Sequence, residues 1–567
     1  MNAVAAPLIV GVTSHRNIAS DEIASVRSHV REFLERLRVE FSHLPLIVLS
    51  PLAEGGDQLV AEEAIAVGAR VVAVLPMQRA EYARDFPDDA RRRFESLCDA
   101  AEIIELPRAY GASSADSPAG HERDAHYAAA GVYVSDHCHL LLAIWDGKPS
   151  DSLGGTAQIA RYHLSGVRPS VRARRRNERR RVLGYGSERL LYHIVCSREG
   201  PDGAPLAPLH ALDAWWRTVE RMEAGSSPLP ESFQATFRRA DEFDFDAAKY
   251  AARIDVRNGR PDAANPRTRD ALDDLFHVSD WLAMHFQRRV LLAMRVLYTL
   301  AALMAIAFTI YDSLPAQDAM LDVFLLLFAI GGFIVLLANR RGWHRKYLDY
   351  RALAEGLRVQ SYWRSAGIAL TDDADFARDN FLQKQDVELG WVRNVMRGAE
   401  IQSAIAGGLR ERADVTAVIR EWIGDGVHSG QLEYYARKAA QRARTHRVTE
   451  SLGFASLCVG IGISIVLAAF ARDFSADAKD MLVMVMAVAS ILAGVRSAYA
   501  YKKADKELIK QYRYMQRIFE EARTALNDAS DIEEQREILR MLGEAALAEQ
   551  VEWALMHRQR PLEHNRI

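Results

Sequence analysis

The stretch PLIVGVTSHR, residues 7–16, decides how the first part of the chain is read. Pro7–Val12 is a short apolar run that passes straight into a polar turn, the pattern of a buried strand ending in a loop. The pattern recurs at Pro45–Ser50 (PLIVLS), Ala69–Pro76 (ARVVAVLP), Ala101–Leu106 and Leu140–Trp145 (LLLAIW), with Leu190–Cys196 (LLYHIVC) expected as the last strand. Amphipathic stretches such as Asp21–Phe41 and Asp57–Val67 lie between them. Strand and helix in alternation predict a Rossmann-like α/β parallel sheet over residues 1–200.

The chain has 567 residues, 49% hydrophobic and 26% charged, which suits several folded domains rather than a disordered polymer. A net charge of −3 gives no overall field for nucleic acid, which is not an expected partner. Cys98, Cys138, Cys196 and Cys458 are too far apart for a disulfide scaffold or a zinc ribbon. No metal site is expected, and His137-Cys138-His139 reads as structural. No cleavable signal peptide is apparent at the N-terminus.

The apolar residues are unevenly placed. Val290–Tyr311, Val323–Ala338, Leu452–Ala471 and Met481–Val495 form two pairs at hairpin spacing. A spanning helix needs about 20 apolar residues, so four membrane helices in two hairpins are expected. Arg288, Arg289, Arg340, Arg341, Arg345 and Lys346 flank the first pair, while its loop carries Asp312, Asp318 and Asp322 without Lys or Arg. Arg437, Lys438, Arg442, Arg444, Arg447, Arg496, Lys502 and Lys503 flank the second, whose loop mixes Arg472 and Lys479 with Asp473, Asp477 and Asp480. The positive-inside rule puts both termini and the middle region in the cytoplasm, with only two short loops outside. The expected division is a ligand-sensing domain at 1–200, a connector at 201–287, a first hairpin with its helix at 288–370, a cytoplasmic helical region at 371–450, and a second hairpin with its helix at 451–560. Each hairpin is followed by a long charged helix, so the pair reads as a duplication of topology. Tyr350, Arg351, Glu355, Arg358 and Trp363 follow helical spacing, as an exposed helix or an oligomer interface.

Three loops at strand ends are candidates for ligand chemistry. The first is Gly11, Thr13, Ser14, His15 and Arg16, where glycine admits a ligand and the polar residues supply phosphate donors. The second is Glu54, Gly55, Gly56 and Asp57, whose carboxylates suit ribose hydroxyls. The third is Asp146, Gly147 and Lys148 with Gly154, Gly155 and Thr156 at a helix start. Pro76, closing the third strand, belongs to the same rim. In a parallel sheet these ends meet in one crevice. Leu142 and Pro149 exclude a Walker A reading of Gly147-Lys148, and no GxGxxG is present. Seven arginines in Arg172–Arg181 read as a solvated loop, with anionic lipid headgroups as the next reading.

The segments GVTSHR (11–16), SPLAEGGDQLVAEEA (50–64), VVAVLPM (71–77), YVSDHCHLLLAIWDGKP (133–149) and GGTAQI (154–159) resemble the SLOG superfamily. That Rossmannoid group includes the LOG phosphoribohydrolases, the DNA-uptake protein DprA and nucleotide-sensing domains of bacterial defence systems. DYRALAEGLRVQSYWRSAGI (349–368) after the second span resembles the two-transmembrane SLATT effectors. The resemblance implies a nucleotide second messenger or NAD-related ligand, no bound cofactor, a homo-oligomer in the lipid bilayer, and a synthase or TIR-type partner that makes the signal. It also implies a pore or membrane disruption in antiviral defence. LOG hydrolases carry a catalytic glutamate three residues after the threonine of their glycine motif. Here that place is Ile159, with Gln158 beside it, so no catalytic residue is assigned. The alternative is a membrane-tethered nucleotide hydrolase of LOG type.

The charge asymmetry generates a direct test. Cysteines introduced at Ser313 and Ser475 are expected to react with an impermeant thiol reagent added to intact cells. Labelling only after lysis would reverse the topology.

Overall fold

In the computed structural model the described residues are 5–107, 119–166, 189–257, 271–313, 317–368, 381, 386–407, 414–425, 430–470, 472, 474–502 and 505–558. The arginine run 172–181 lies outside them. They fall into two compact units, Met1–Val278 with Gly356–Ala413, and Ser279–Glu355 with Asp414–Ile567.

The first unit is built on an eight-stranded sheet. Its elements are β1 (Leu8–Ser14), α1 (Ile23–Glu40), β2 (Leu46–Ser50), α2 (Gly56–Ala66), β3 (Arg70–Leu75), α3 (Arg79–Tyr82), α4 (Asp88–Ala100), β4 (Glu102–Glu105), α5 (Ala119–His137), β5 (Leu140–Trp145), α6 (Thr156–Ser165), β6 (Leu191–Val195), β7 (Ala214–Arg217), β8 (Met222–Ala224) and α7 (Glu231–Arg257). The strand order is β4-β3-β2-β1-β5-β6-β7-β8. β1 to β6 run parallel, β7 pairs antiparallel with β6, and β8 pairs antiparallel with β7. Continuous apolar runs such as Leu140–Trp145 are buried on both faces, as a parallel sheet covered on both sides requires.

Leu190–Cys196 is not the last strand. β7 pairs with β6 through Tyr192 opposite Trp216. Phe33 of α1 stacks on Tyr192 with ring centroids 4.2 Å apart, and Tyr192 meets Trp216 at 4.6 Å. Trp215-Trp216 is therefore a packing feature of the sheet. A helix from much later in the chain, α11 (Asp386–Gly407), also joins this core: Ile401 and Ala404 pack with Ile9, Val134 and Ile159. His139 ties it down, with Nδ1 3.2 Å from the Ile9 N–H and Nε2 2.9 Å from the Asn394 carbonyl.

Between α7 and α11 come α8 (Ala271–Ser313), α9 (Ala319–Arg340) and α10 (Trp343–Ser365), and after them α12 (Gln431–Phe470), α13 (Ala476–Lys502), α14 (Asp505–Asp528) and α15 (Ile532–Arg558). Four helices are long and apolar enough to cross a membrane. Phe328, Phe333, Phe454, Leu457, Ile465 and Met481 on these helices are exposed, as side chains that face lipid would be. Within the second unit a polar layer is closed by Asp349, 1% exposed, with Arg558 at 2.7 Å, and by Arg351 with Asp280 at 2.9 Å. Tyr350 and Trp363 are buried, so α10 is not the exposed helix that the charge spacing suggested. The Arg351–Glu355 pair is present, but partly buried.

Gly11 sits inside β1 where α5 crosses the sheet. A Cβ there would lie 2.8 Å from Val134 and 2.9 Å from Cys138. Gly332, mid-span in α9, has nothing within 4 Å of the corresponding point. Gly11→Ala is therefore expected to destabilise the first unit by about 1–3 kcal/mol, the cost of overpacking a core. Gly332→Ala should leave its thermal unfolding unchanged. Equal effects in a melting experiment would refute this account of Gly11.

Candidate functional site

β1 has β2 on one side and β5 on the other, so the chain reverses its winding direction between β1 and β5. In an open α/β sheet the crevice beyond the strand ends at this point is where ligands bind. The expected residues can be placed around it one by one.

Ser14 is the centre. Its Oγ donates to Asp57 Oδ1 at 2.5 Å, and its carbonyl accepts from Thr156 Oγ1 at 2.7 Å. The His15 N–H donates to the Ile144 carbonyl at 2.9 Å, while the His15 carbonyl accepts from the Gly56 N–H at 3.2 Å. The ends of β1 and β5 and the starts of α2 and α6 thus converge on two residues. Thr13 is buried behind them, and Pro76 is buried at the end of β3.

His15 Nε2 lies 3.1 Å from Asp146 Oδ1, and Asp146 is 1% exposed. Burial pushes the imidazole below its ordinary value, and this outweighs the pull of Asp146 in the other direction. Arg16 is exposed, and its guanidinium lies over the Tyr127 ring, 5.5 Å from the centroid. Among the described residues it has no carboxylate within ion-pair distance. Tyr127 in turn donates its hydroxyl to Asp85, which also holds Arg123 at 2.8 Å. Alongside lies a cavity of about 610 Å³ lined by Gln78, Ala80, Glu81, Arg84, Asp85 and Arg123.

Tyr127, Asp85, Arg123 and Arg198 were not singled out from the sequence. Arg198 Nη1 stands 4.0 Å from Asp146 Oδ2. These residues sit on α5, after α3 and after β6, in polar stretches without a motif. No local signal marked them, because only the folded sheet brings them beside β1.

Several expected ligand groups are occupied by the protein itself. Asp57 is 3% exposed and accepts from Ser14 and from the Ala53 backbone N–H, so it closes the loop rather than facing a ribose. Lys148 turns away, its Nζ donating to the Asp202 carbonyl at 2.6 Å. A Cβ at Gly55 would lie 2.1 Å from the Arg16 carbonyl, one at Gly56 2.6 Å from Ser14, and one at Gly154 2.7 Å from the Ala128 nitrogen. These glycines allow chain segments to touch. Gly147 abuts Leu209, and Gly155 donates its N–H to Ser152. Glu54 is half-buried at the rim. In the position of the LOG glutamate, Ile159 is buried in the core, and Gln158 Oε1 accepts from the Gly154 N–H at 2.7 Å.

Asp57 makes stability depend on pH. Burial pushes its carboxyl from an ordinary 3.8 up to about 7, so the folded protein holds a proton that the unfolded chain releases. The stabilisation from that proton is complete below the ordinary value and lost as pH rises through about 7. Asp57→Asn is expected to raise the melting temperature at mildly alkaline pH, by about 2–4 °C per kcal/mol recovered, and to change it little in acid. Parallel melting curves for both proteins across the pH range would contradict this.

No family model matches the chain, and no curated protein matches it.

Proposed function

We propose that the chain is a membrane-anchored sensor–effector. The crevice between β1 and β5 receives a nucleotide-derived signal, of NAD, ADP-ribose or cyclic-nucleotide type, and binding changes the state of the membrane helices. The observation that carries this reading is Arg16: an exposed guanidinium at the switch point, braced on Tyr127 and without a carboxylate partner among the described residues. A cation held in that way is available to phosphate oxygens. The sequence resemblance to SLOG sensors and SLATT effectors supports a role in antiviral defence, with the bilayer as the target and a synthase as the source of signal.

The hydrolase alternative is the weaker reading. Gln158 serves the turn and Ile159 fills the core, so neither stands ready to move a proton. A sensor requires only that the ligand prefer one state of the assembly, and a few kcal/mol of preference suffices.

The full chain in lipid vesicles is the material for the test. ADP-ribose, NAD and cyclic nucleotides are expected to include at least one binder, and that binder should release an entrapped dye. Arg16→Glu should weaken its binding by tenfold or more, equivalent to about 1.4 kcal/mol. Dye release that ignores every nucleotide, or consumption of the nucleotide without release, would defeat the sensor–effector reading.

A further inference from the structure

His15 stands between a closed environment and an open one. On its inner side is Asp146, whose Oδ1 also accepts from the Lys148 N–H at 3.0 Å. Asp146 Oδ2 is buried without a hydrogen-bond partner among the described residues. The imidazole as a whole keeps 15% exposure, and the next residue, Arg16, is exposed. His15 Nε2 faces Asp146 Oδ1 at 3.1 Å, yet it is buried without a hydrogen-bond partner among the described residues, a contact that protonation of the ring would turn into an ion pair.

Among the described residues, the charged and titratable groups around this imidazole can be named one by one. Arg16 is its neighbour in sequence, and Arg198 opposes its protonation from the loop after β6. His193 of β6 is itself kept neutral, pushed down to about 4 by burial, with Nε2 2.9 Å from the Trp145 carbonyl. Asp57 is linked to the adjacent Ser14. With the crevice open to water, burial and Arg198 keep His15 neutral against the pull of Asp146. An anion placed beside Arg16 offsets the cationic charge and adds a second negative charge facing the ring. Both changes favour the imidazolium.

We infer that His15 takes up one proton from solvent when a pyrophosphate-bearing ligand enters the crevice, so that the imidazolium bridges Asp146 and the ligand. This rests on the crevice being the anion site proposed above. It deepens that reading: the pocket responds to ligand charge, and its affinity follows pH.

The experiment is titration calorimetry of the full chain with inorganic pyrophosphate and with ADP-ribose, in two buffers of different ionisation heat. The diester pyrophosphate of ADP-ribose keeps a constant charge across the neutral range, so proton uptake measured with it belongs to the protein. Wild type is expected to bind with uptake approaching one proton, its affinity falling by up to about tenfold per pH unit as the medium becomes alkaline. His15→Gln keeps a hydrogen-bonding side chain but cannot titrate, and should bind with no proton uptake and a flat pH profile. Asp57→Asn should retain the uptake, which separates His15 from the other titrating group nearby. Should His15→Gln fail to fold by thermal melting, Asp146→Asn gives the second reading, with uptake reduced because the imidazolium loses its carboxylate. Uptake that survives His15→Gln, or that disappears in Asp57→Asn, overturns the inference. So does binding of ADP-ribose by wild type without uptake, which would leave the anion site itself standing. Failure of both probes to bind at any pH overturns the anion site and the inference together.

Discussion

The hydrogen bonds around Ser14 hold the first unit at its switch point. Its hydroxyl reaches Asp57 and its carbonyl receives Thr156, while the next residue joins β5 and α2 through its backbone. These bonds span more than a hundred residues of sequence between Ser14 and Thr156. A buried bond of this kind contributes about 1 kcal/mol net, but leaving one of its partners unpaired costs about 1–3 kcal/mol. The network therefore specifies where the strand ends meet more than it adds to stability. The crevice has its shape because the ends of β1 and β5 and the starts of α2 and α6 are fixed to two adjacent residues, Ser14 and His15.

That arrangement divides the polar groups of the rim into two sets. Asp57, Lys148 and Gln158 are used by the protein to close its own turns. Arg16 lies exposed over an aromatic ring, and His15 lies against a buried carboxylate. Side chains held from behind lose little freedom on meeting a ligand, which favours binding over a flexible surface charge. The opposed shifts of Asp57 and His15 share one cause, burial, acting on groups of opposite charge type.

The second unit solves a different problem. Its long helices expose large apolar faces, while its polar side chains gather in pairs such as Asp349–Arg558 and Arg351–Asp280. A buried ion pair adds little net stability once desolvation is counted, but breaking one leaves a costly lone charge. Such pairs therefore set which helix faces which. Tyr435 and Phe519, with centroids 5.5 Å apart, do the same for α12 and α14 by apolar packing.

The sequence by itself determined the six parallel strands and the four long apolar helices, because continuous apolar runs and helix-length hydrophobic segments are local properties. It also placed the three candidate loops at strand ends, after β1, β2 and β5. It did not reveal β7 and β8, which are short and lie in polar surroundings, nor that α11 would complete the sheet's core. The charge spacing of α10 suggested exposure, yet Tyr350 and Trp363 are buried, since burial depends on what a helix meets and not on its own pattern. The rim shows the same limit. Glycine and charge after a strand announced a turn of the right kind, but only packing decided that Lys148 points to Asp202, that Asp57 turns inward, and that Tyr127 of α5 comes to lie under Arg16. The direction of a side chain at a strand end is set by neighbours distant in sequence, and those neighbours exist only once the sheet has formed.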